Sequence, residues 1–397
     1  MTRNPNLNLP PHLMAIVEAE YPRFSTVEMQ RRRSLVEKAM QDAGVDHLLV
    51  YGAGFRGGAV HWVSDWHTTY EAALVVTPGR RDTLFVQFYN HLPLARKMMP
   101  AADVRWGGEQ TIRTVIAELD ARNAKENRVG VIGPLSIGPY KALAAKFGDV
   151  KDLNGAYFRL RMIKSLEEID WARIAARLSD LSIEALRRDV RPGIDERELG
   201  AIVEGAYTPW GGSNVIHFFG VTPMANPEIC VPRQHPSTRK VQLGDVISTE
   251  ITASFWDAQG QVLRTFFVGA EPTPLYRQLH DTADAAFDAI FRTLRPGAHA
   301  REIAEAANLI EKAGFSFYDD VVHGYGGGYL QPIVGSPTRN NEPLPDLVLA
   351  PGMMLVIQPN VITKDEKAGV QTGECVVITE RGAESIHTAP RGPFRIG

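Results

Sequence analysis

The stretch Val241-Gln-Leu-Gly-Asp-Val-Ile-Ser-Thr-Glu250-Ile-Thr-Ala-Ser-Phe-Trp-Asp-Ala-Gln-Gly-Gln261-Val-Leu-Arg264-Thr-Phe-Phe-Val-Gly269 decides how the rest of the chain is read. β-Branched and aromatic residues flank a turn-forming cluster at Asp257-Ala-Gln-Gly260, which predicts a hairpin. Each strand carries one polar residue in apolar company, Glu250 on the first and Gln261 on the second. An inward polar pair on neighbouring strands marks a candidate site.

The chain then repeats this pattern. Leu243-Gly244-Asp-Val-Ile-Ser-Thr-Glu250 has a counterpart in Ala350-Pro-Gly352-Met-Met-Leu-Val-Ile-Gln358, with a polar residue six positions after the glycine in both. Gly260-Gln261 is matched with Gly373-Glu374. Upstream, Arg191-Pro-Gly-Ile-Asp-Glu-Arg197-Glu-Leu is echoed by Arg295-Pro-Gly-Ala-His-Ala-Arg301-Glu-Ile, 104 positions later (295 against 191). Two copies at so long a period predict an internally duplicated α+β domain rather than a solenoid. If the halves pack about a pseudo-twofold axis, Glu250, Gln261, Gln358 and Glu374 converge near it.

At 397 residues the chain has room for two or three domains, and an apolar fraction of 44% permits sizeable cores. A formal net charge of −3 gives no push toward nucleic acid or an anionic membrane. Cys230 and Cys375, the two cysteines, build no disulfide framework and suit a reducing compartment. The N-terminal stretch lacks the apolar centre of a signal peptide and no run approaches membrane-spanning length, so a cytoplasmic protein is expected.

In chain order, residues 1–25 are expected to form an arm and residues 26–155 an α/β domain. Helical spacing covers 28–44, 109–123 and 139–147, and apolar strand-like runs cover 47–51, 72–76, 83–86 and 129–132. The remaining part, 156–397, opens on a long amphipathic helix that Ser165 caps, with Glu168 completing a capping box.

The Arg161-Met-Ile-Lys164-Ser165-x-x-Glu168 junction, Leu243-x-Asp245-Val, Arg264-Thr265, His323-Gly-Tyr-Gly326, Ala350-Pro-Gly-Met353 and Gly373-Glu374-x-Val-Val-Ile-Thr-Glu-x-Gly382 together resemble the creatinase, prolidase and aminopeptidase P family over roughly residues 30–390. The resemblance implies a creatinase-like N-terminal domain followed by a pita-bread catalytic domain, in a homodimer. In the metallopeptidase members two metal ions are held by Asp, Asp, His, Glu and Glu. Carried over, those places are Glu250, Gln261, His323, Gln358 and Glu374. Two carboxylates supply half the negative charge of four, and carboxamides are poor ligands for manganese, cobalt or zinc. No metal cofactor is therefore expected, the alternative being one divalent ion on Glu250, His323 and Glu374.

His323 is the expected base, with Glu250 and Glu374 as acid and electrostatic partners. Gln261, Gln358, Tyr325, Trp256, His217 and His235 are expected around a small-molecule substrate, and Arg56 and His67 of the N-terminal domain are candidates for binding a substrate carboxylate. The reading is a creatinase-like hydrolase that cleaves a C–N bond in a small nitrogenous compound. The alternatives are a metal-dependent Xaa-Pro dipeptidase, a lyase of a small charged metabolite, and a non-catalytic binding protein of the same fold.

Overall fold

The computed structural model describes residues 7–54, 58–335, 344 and 346–397, which divide into two compact units. The first unit, Ala19–Arg161, is a six-stranded mixed sheet whose central strand His47–Ala53 runs antiparallel to Glu71–Val76 and parallel to Val129–Ile132. The helix over Thr26–Ala43 starts where the Ser25 hydroxyl accepts from the Glu28 N–H, and it stops at Gly44, whose φ of 69° only glycine adopts freely. Leu119, Leu143 and Phe147 of the two later helices fill a core with Leu49, Val75 and Phe85 of the sheet.

The unit boundary falls at 161/162, not 155/156, because the helix Asn154–Met162 buries Tyr157 edge-on against Trp62. The first residues are not an arm either. Leu7 is fully buried, its carbonyl accepts from the Arg177 guanidinium at 2.7 Å, and the helix Pro11–Glu18 buries Leu13.

The second unit contains α1 (Leu166–Asp189), α2 (Glu196–Tyr207), β1 (Gly212–Pro223), β2 (Asp245–Phe255), β3 (Ala258–Val268), α3 (Pro274–Thr293), β4 (Val322–Tyr325), β5 (Tyr329–Val334), β6 (Met354–Ile357) and β7 (Gly373–Thr379). Seven strands of its nine-stranded sheet run in the order β5-β4-β6-β7-β3-β2-β1. The first half of the repeat thus supplies one side of the sheet and the second half the other, meeting at the β3–β7 seam. The echoed Arg-Pro-Gly segments behave alike in detail. Each opens a helix by donating the backbone N–H of Asp195 or His299 to a glutamate three residues on, Glu198 at 3.0 Å and Glu302 at 2.9 Å. The same two residues also bridge to Lys240 and Val348, ahead of β2 and β6.

Ser165 caps α1 as expected, with Glu168 completing the box. On α3, Tyr276, Leu279, Ala283, Ala286, Phe287 and Ile290 make one apolar stripe at helical spacing, and all are buried in the core of this unit. The β2–β3 turn is tighter than expected: the strands extend to Phe255 and Ala258, leaving Trp256 and Asp257 as the loop, with Trp256 at φ 54°. Gly260 is therefore not a turn residue. It sits in β3, where a Cβ would lie 2.3 Å from the Ala176 Cα, so its missing side chain lets α1 lie against the sheet.

Candidate functional site

Glu250 stands mid-strand on β2, across from Phe218 of β1 and Leu263 of β3, while Gln261 stands across from Thr252. The two-residue alternation of a strand puts Glu250 and Gln261 on one face as diagonal neighbours. Their side chains meet: Gln261 Nε2 donates to Glu250 Oε1 at 2.6 Å. That commits the amide nitrogen, and Gln261 Oε1 is left buried without a partner.

His323 lies on β4 with no solvent exposure. Its Nδ1 faces the Gly324 carbonyl at 3.1 Å, and a carbonyl accepts only N–H, so the proton sits on Nδ1 and Nε2 keeps its lone pair. Nε2 has no partner. The ring stacks on Tyr329 at 3.8 Å between centroids, brought back over it by the glycine turn at 326–328. Across from His323 on β6 stands Val356, and two residues on, past the strand end, comes Gln358. Its Nε2 donates to the Asp320 carbonyl at 3.3 Å and its Oε1 is unpartnered.

Two carboxylates that sequence reasoning missed complete the set. Asp320 is 6% exposed with an unpartnered Oδ2, and its backbone N–H donates to Asp319 Oδ1 at 2.9 Å. Burial and the Asp319 charge push the Glu250 carboxyl up to about 7, against the Gln261 hydrogen bond. Burial, Asp319 and, more weakly, Glu250 push Asp320 up to about 8. Burial pushes His323 down to about 4, more than the Gly324 carbonyl, Asp319 and Gln358 raise it. Burial together with Asp320, Asp319 and Glu250 also raises the Tyr329 hydroxyl. Four acidic or phenolic groups therefore share one field around a neutral imidazole. An Asp-Asp pair just ahead of the strand that carries His323 was the available signal.

Glu374, expected beside His323, is placed differently. The ladder sets Gly373 across from Leu263 and Glu374 across from Val262, one residue out of phase with Glu250 and Gln261. Its Oε2 accepts from the fully buried Arg264 at 2.6 Å and its Oε1 from the Ser385 hydroxyl at 2.6 Å. Arg264 also donates to the Leu263, Gly373, Ala389 and Pro390 carbonyls, and the 387–389 segment is pinned in turn to Asp180 of α1. Burial raises the Asp180 carboxyl, but His387 and Thr388 more than offset it and hold it below its ordinary value. Glu374 is thus the end of a buried brace rather than a member of the acid–base set. Gly373 has no room for a side chain, since a Cβ would lie 2.3 Å from the Ile357 carbonyl.

The remaining expected residues disperse. Tyr325 is buried in the core, edge-on to His323, its hydroxyl donating to Thr252 Oγ1 at 3.5 Å. Trp256 sits in the hairpin loop, six residues and therefore about 20 Å along the strand from Glu250. His217 pairs with Ile251, so it points to the face opposite Glu250, where its Nε2 meets the Tyr207 hydroxyl at 3.1 Å and its Nδ1 lies 3.4 Å from Glu204. His235 is exposed in the loop before β2. In the first unit, His67 rests its ring edge-on against His61. Arg56 lies outside the described residues. Among the described residues no three of His, Cys, Asp and Glu are grouped as a metal site, the set Glu250, His323 and Glu374 included, and no helix is long and apolar enough to cross a membrane.

Comparison with known proteins places this architecture. Residues 170–380 match the model of metallopeptidase family M24, and residues 32–163 match the creatinase/prolidase N-terminal domain. An Xaa-Pro dipeptidase of Pyrococcus furiosus is 24% identical over 265 residues, covering 66% of this chain and 74% of that one. A probable dipeptidase PepE of Mycobacterium tuberculosis is 29% identical over 236 residues, 58% of this chain and 60% of that one. Among solved structures, a prolidase of Thermococcus sibiricus superposes with a TM-score of 0.79 at 18% identity, covering 94% of this chain and all of that one. An Xaa-Pro dipeptidase of Bacillus anthracis does so with a TM-score of 0.77 at 19% identity, covering 93% and 100%. The chain belongs to metallopeptidase family M24, with a creatinase/prolidase N-terminal domain ahead of its pita-bread catalytic domain.

Proposed function

We propose that this member of a hydrolase family cleaves a C–N bond of amide or amidine type in a small nitrogenous, non-peptide substrate by His and Glu acid–base chemistry. The observation that carries the reading is the donor set. Family membership implies divalent metal at these positions, so the residues are tested against it first. Gln261 and Gln358 are neutral carboxamides, so neither brings the negative charge that two divalent ions require. Glu374 is held by the buried Arg264 guanidinium and stands one residue out of phase with Glu250 and Gln261. A metal pair needs close to four anionic donors, and this set does not fit it.

His323 is oriented for proton abstraction: with Nδ1–H held by the Gly324 carbonyl, the Nε2 lone pair is free to take a proton from an attacking water. Its depressed pKa keeps it neutral at physiological pH. Glu250, poised near 7, is the group suited to return a proton to the departing nitrogen. Gln261 fixes the Glu250 carboxyl and Tyr329 fixes the imidazole plane.

A second reading has specific support. The matching family model and the names of the relatives favour a metal-dependent Xaa-Pro dipeptidase. One experiment separates them: the chelator-treated chain is assayed against small amides, amidines and ureas, and the manganese- or cobalt-loaded chain against Xaa-Pro dipeptides. The proposal expects chelator-resistant hydrolysis in the first panel, abolished in His323→Ala. Hydrolysis confined to the metal-loaded chain on dipeptides refutes it.

A further inference from the structure

The geometry points to a second ligand site, a cleft in the first unit that takes a small organic acid, its carboxylate on His47 and Arg80 and its compact apolar body beside them. The site uses none of the residues assigned to hydrolysis, and the inference does not depend on the reaction proposed for them.

The cleft is a cavity of about 750 Å³ between the helix Thr26–Ala43, the start of the strand His47–Ala53 and the turn that follows the strand Glu71–Val76. That volume is in the range of small-molecule sites and exceeds what a bare ion fills. Three of its lining residues, His47, Thr77 and Arg122, are polar and buried, at 5%, 8% and 7% exposure. They are wired in one direction. Arg122, the residue after the helix Thr111–Ala121, donates from Nη1 to the Thr77 hydroxyl oxygen at 2.9 Å, and that oxygen stands 2.9 Å from His47 Nδ1. A guanidinium only donates, which leaves His47 Nδ1 as the acceptor for the Thr77 proton. The imidazole proton then sits on Nε2, which makes no hydrogen bond among the described residues. Each bond in the chain polarises the next, so the cleft-lining ring offers a strengthened N–H donor that lacks an acceptor.

Charge supplies the other half of the site. Most cations that line the cleft are answered: Arg128 grips Asp46 through two bonds of 2.9 and 2.6 Å, Lys38 pairs with Asp42, and Arg122 gives its Nε to Glu118 at 2.7 Å. Glu37, also in the lining, is answered by Arg33 at 2.7 Å. Arg80 is the exception, since its guanidinium has no hydrogen bond or ion pair among the described residues. One uncompensated positive charge beside one N–H donor matches a single carboxylate, whereas a phosphate ester brings more negative charge than the cleft neutralises. Burial, together with Arg122 and Arg80, outweighs Asp46 and holds the His47 imidazole below its ordinary pKa, so the ring is a neutral donor at pH 7. Met40, Val45 and Pro78 line the same space and give the body of the ligand an apolar contact.

The test is calorimetric titration of the full chain with four probes. These are benzoate (a carboxylate on a compact apolar body), benzamide (the body without the charge), acetate (the carboxylate without the body) and phenyl phosphate. Benzoate is expected to bind at least about 10-fold more tightly than each of the others. Arg80→Gln, at an exposed position, is expected to weaken benzoate by at least about 10-fold, and Thr77→Val, which breaks the chain of donors, to weaken it as well. If Thr77→Val fails to fold, nitrogen NMR of the His47 ring in the parent chain takes its place, with the proton expected on Nε2 and the Nε2 signal expected to move when benzoate is added. Benzamide or phenyl phosphate binding as tightly as benzoate, an unchanged benzoate affinity in Arg80→Gln, a neutral His47 ring protonated on Nδ1, or no saturable benzoate binding would each overturn the inference.

Discussion

Replacing Glu250 by Gln should make the protein more stable, and the gain should depend on pH in a definite direction. The Glu250 carboxyl ordinarily ionises near 4.5 and is pushed here to about 7, chiefly by burial and then by Asp319. A carboxyl with a raised folded-state pKa supports the fold fully below its unfolded value and loses that contribution as pH climbs through the folded value. The window is therefore about pH 4.5 to 7. Moving a carboxyl across that interval corresponds to about 3 kcal/mol, of which about 2–3 kcal/mol separates pH 5 from pH 8. The carboxamide oxygen of the Glu250→Gln variant would still accept from Gln261, so the variant keeps the 2.6 Å contact while shedding the charge. Thermal or urea unfolding of the two proteins at pH 5 and pH 8 measures this. Near-equal stability at pH 5 and a clear advantage for Glu250→Gln at pH 8 are expected. An advantage that shrinks from pH 5 to pH 8 would refute the reasoning.

Three further outcomes follow from the geometry. Glu374→Gln should leave Arg264 buried without its countercharge and cost about 3–5 kcal/mol of stability, yet retain kcat within about tenfold, whereas His323→Ala should lower kcat by about 10²–10⁴-fold. Gln261→Asp combined with Gln358→Glu restores two carboxylates and should confer tighter divalent-metal binding than the parent chain, read by equilibrium dialysis with manganese. Gly260→Ala should cost about 1–3 kcal/mol or more, measured by urea unfolding, because the new methyl meets the Ala176 backbone at 2.3 Å rather than a yielding side chain.

The duplication was legible because helix starts and strand starts are written in short local codes. Asp195 and His299 open equivalent helices from equivalent segments, and residue counting found both. Strand phase is not local in that sense. Matching Gly260-Gln261 with Gly373-Glu374 by residue type assumed equal register in the two halves, but β7 meets β3 with Gly373 across from Leu263. The side chain at 374 therefore turns to Arg264, and a one-residue difference moves a carboxylate out of the site. Asp319 and Asp320 escaped for a related reason: they precede β4 in what reads as a turn, and only the Gln358 bond to the Asp320 carbonyl and the field at Glu250 draw them in. Aromatic residues near predicted strands misled most, since Tyr325 fills the core and Trp256 closes a hairpin.

Elemental analysis of the purified chain, paired with its hydrolytic activity before and after chelation, tests the central claim most directly. The account predicts substoichiometric divalent metal and activity that survives the chelator. Two tightly held ions per chain, with activity that vanishes on their removal and returns on their addition, would contradict it.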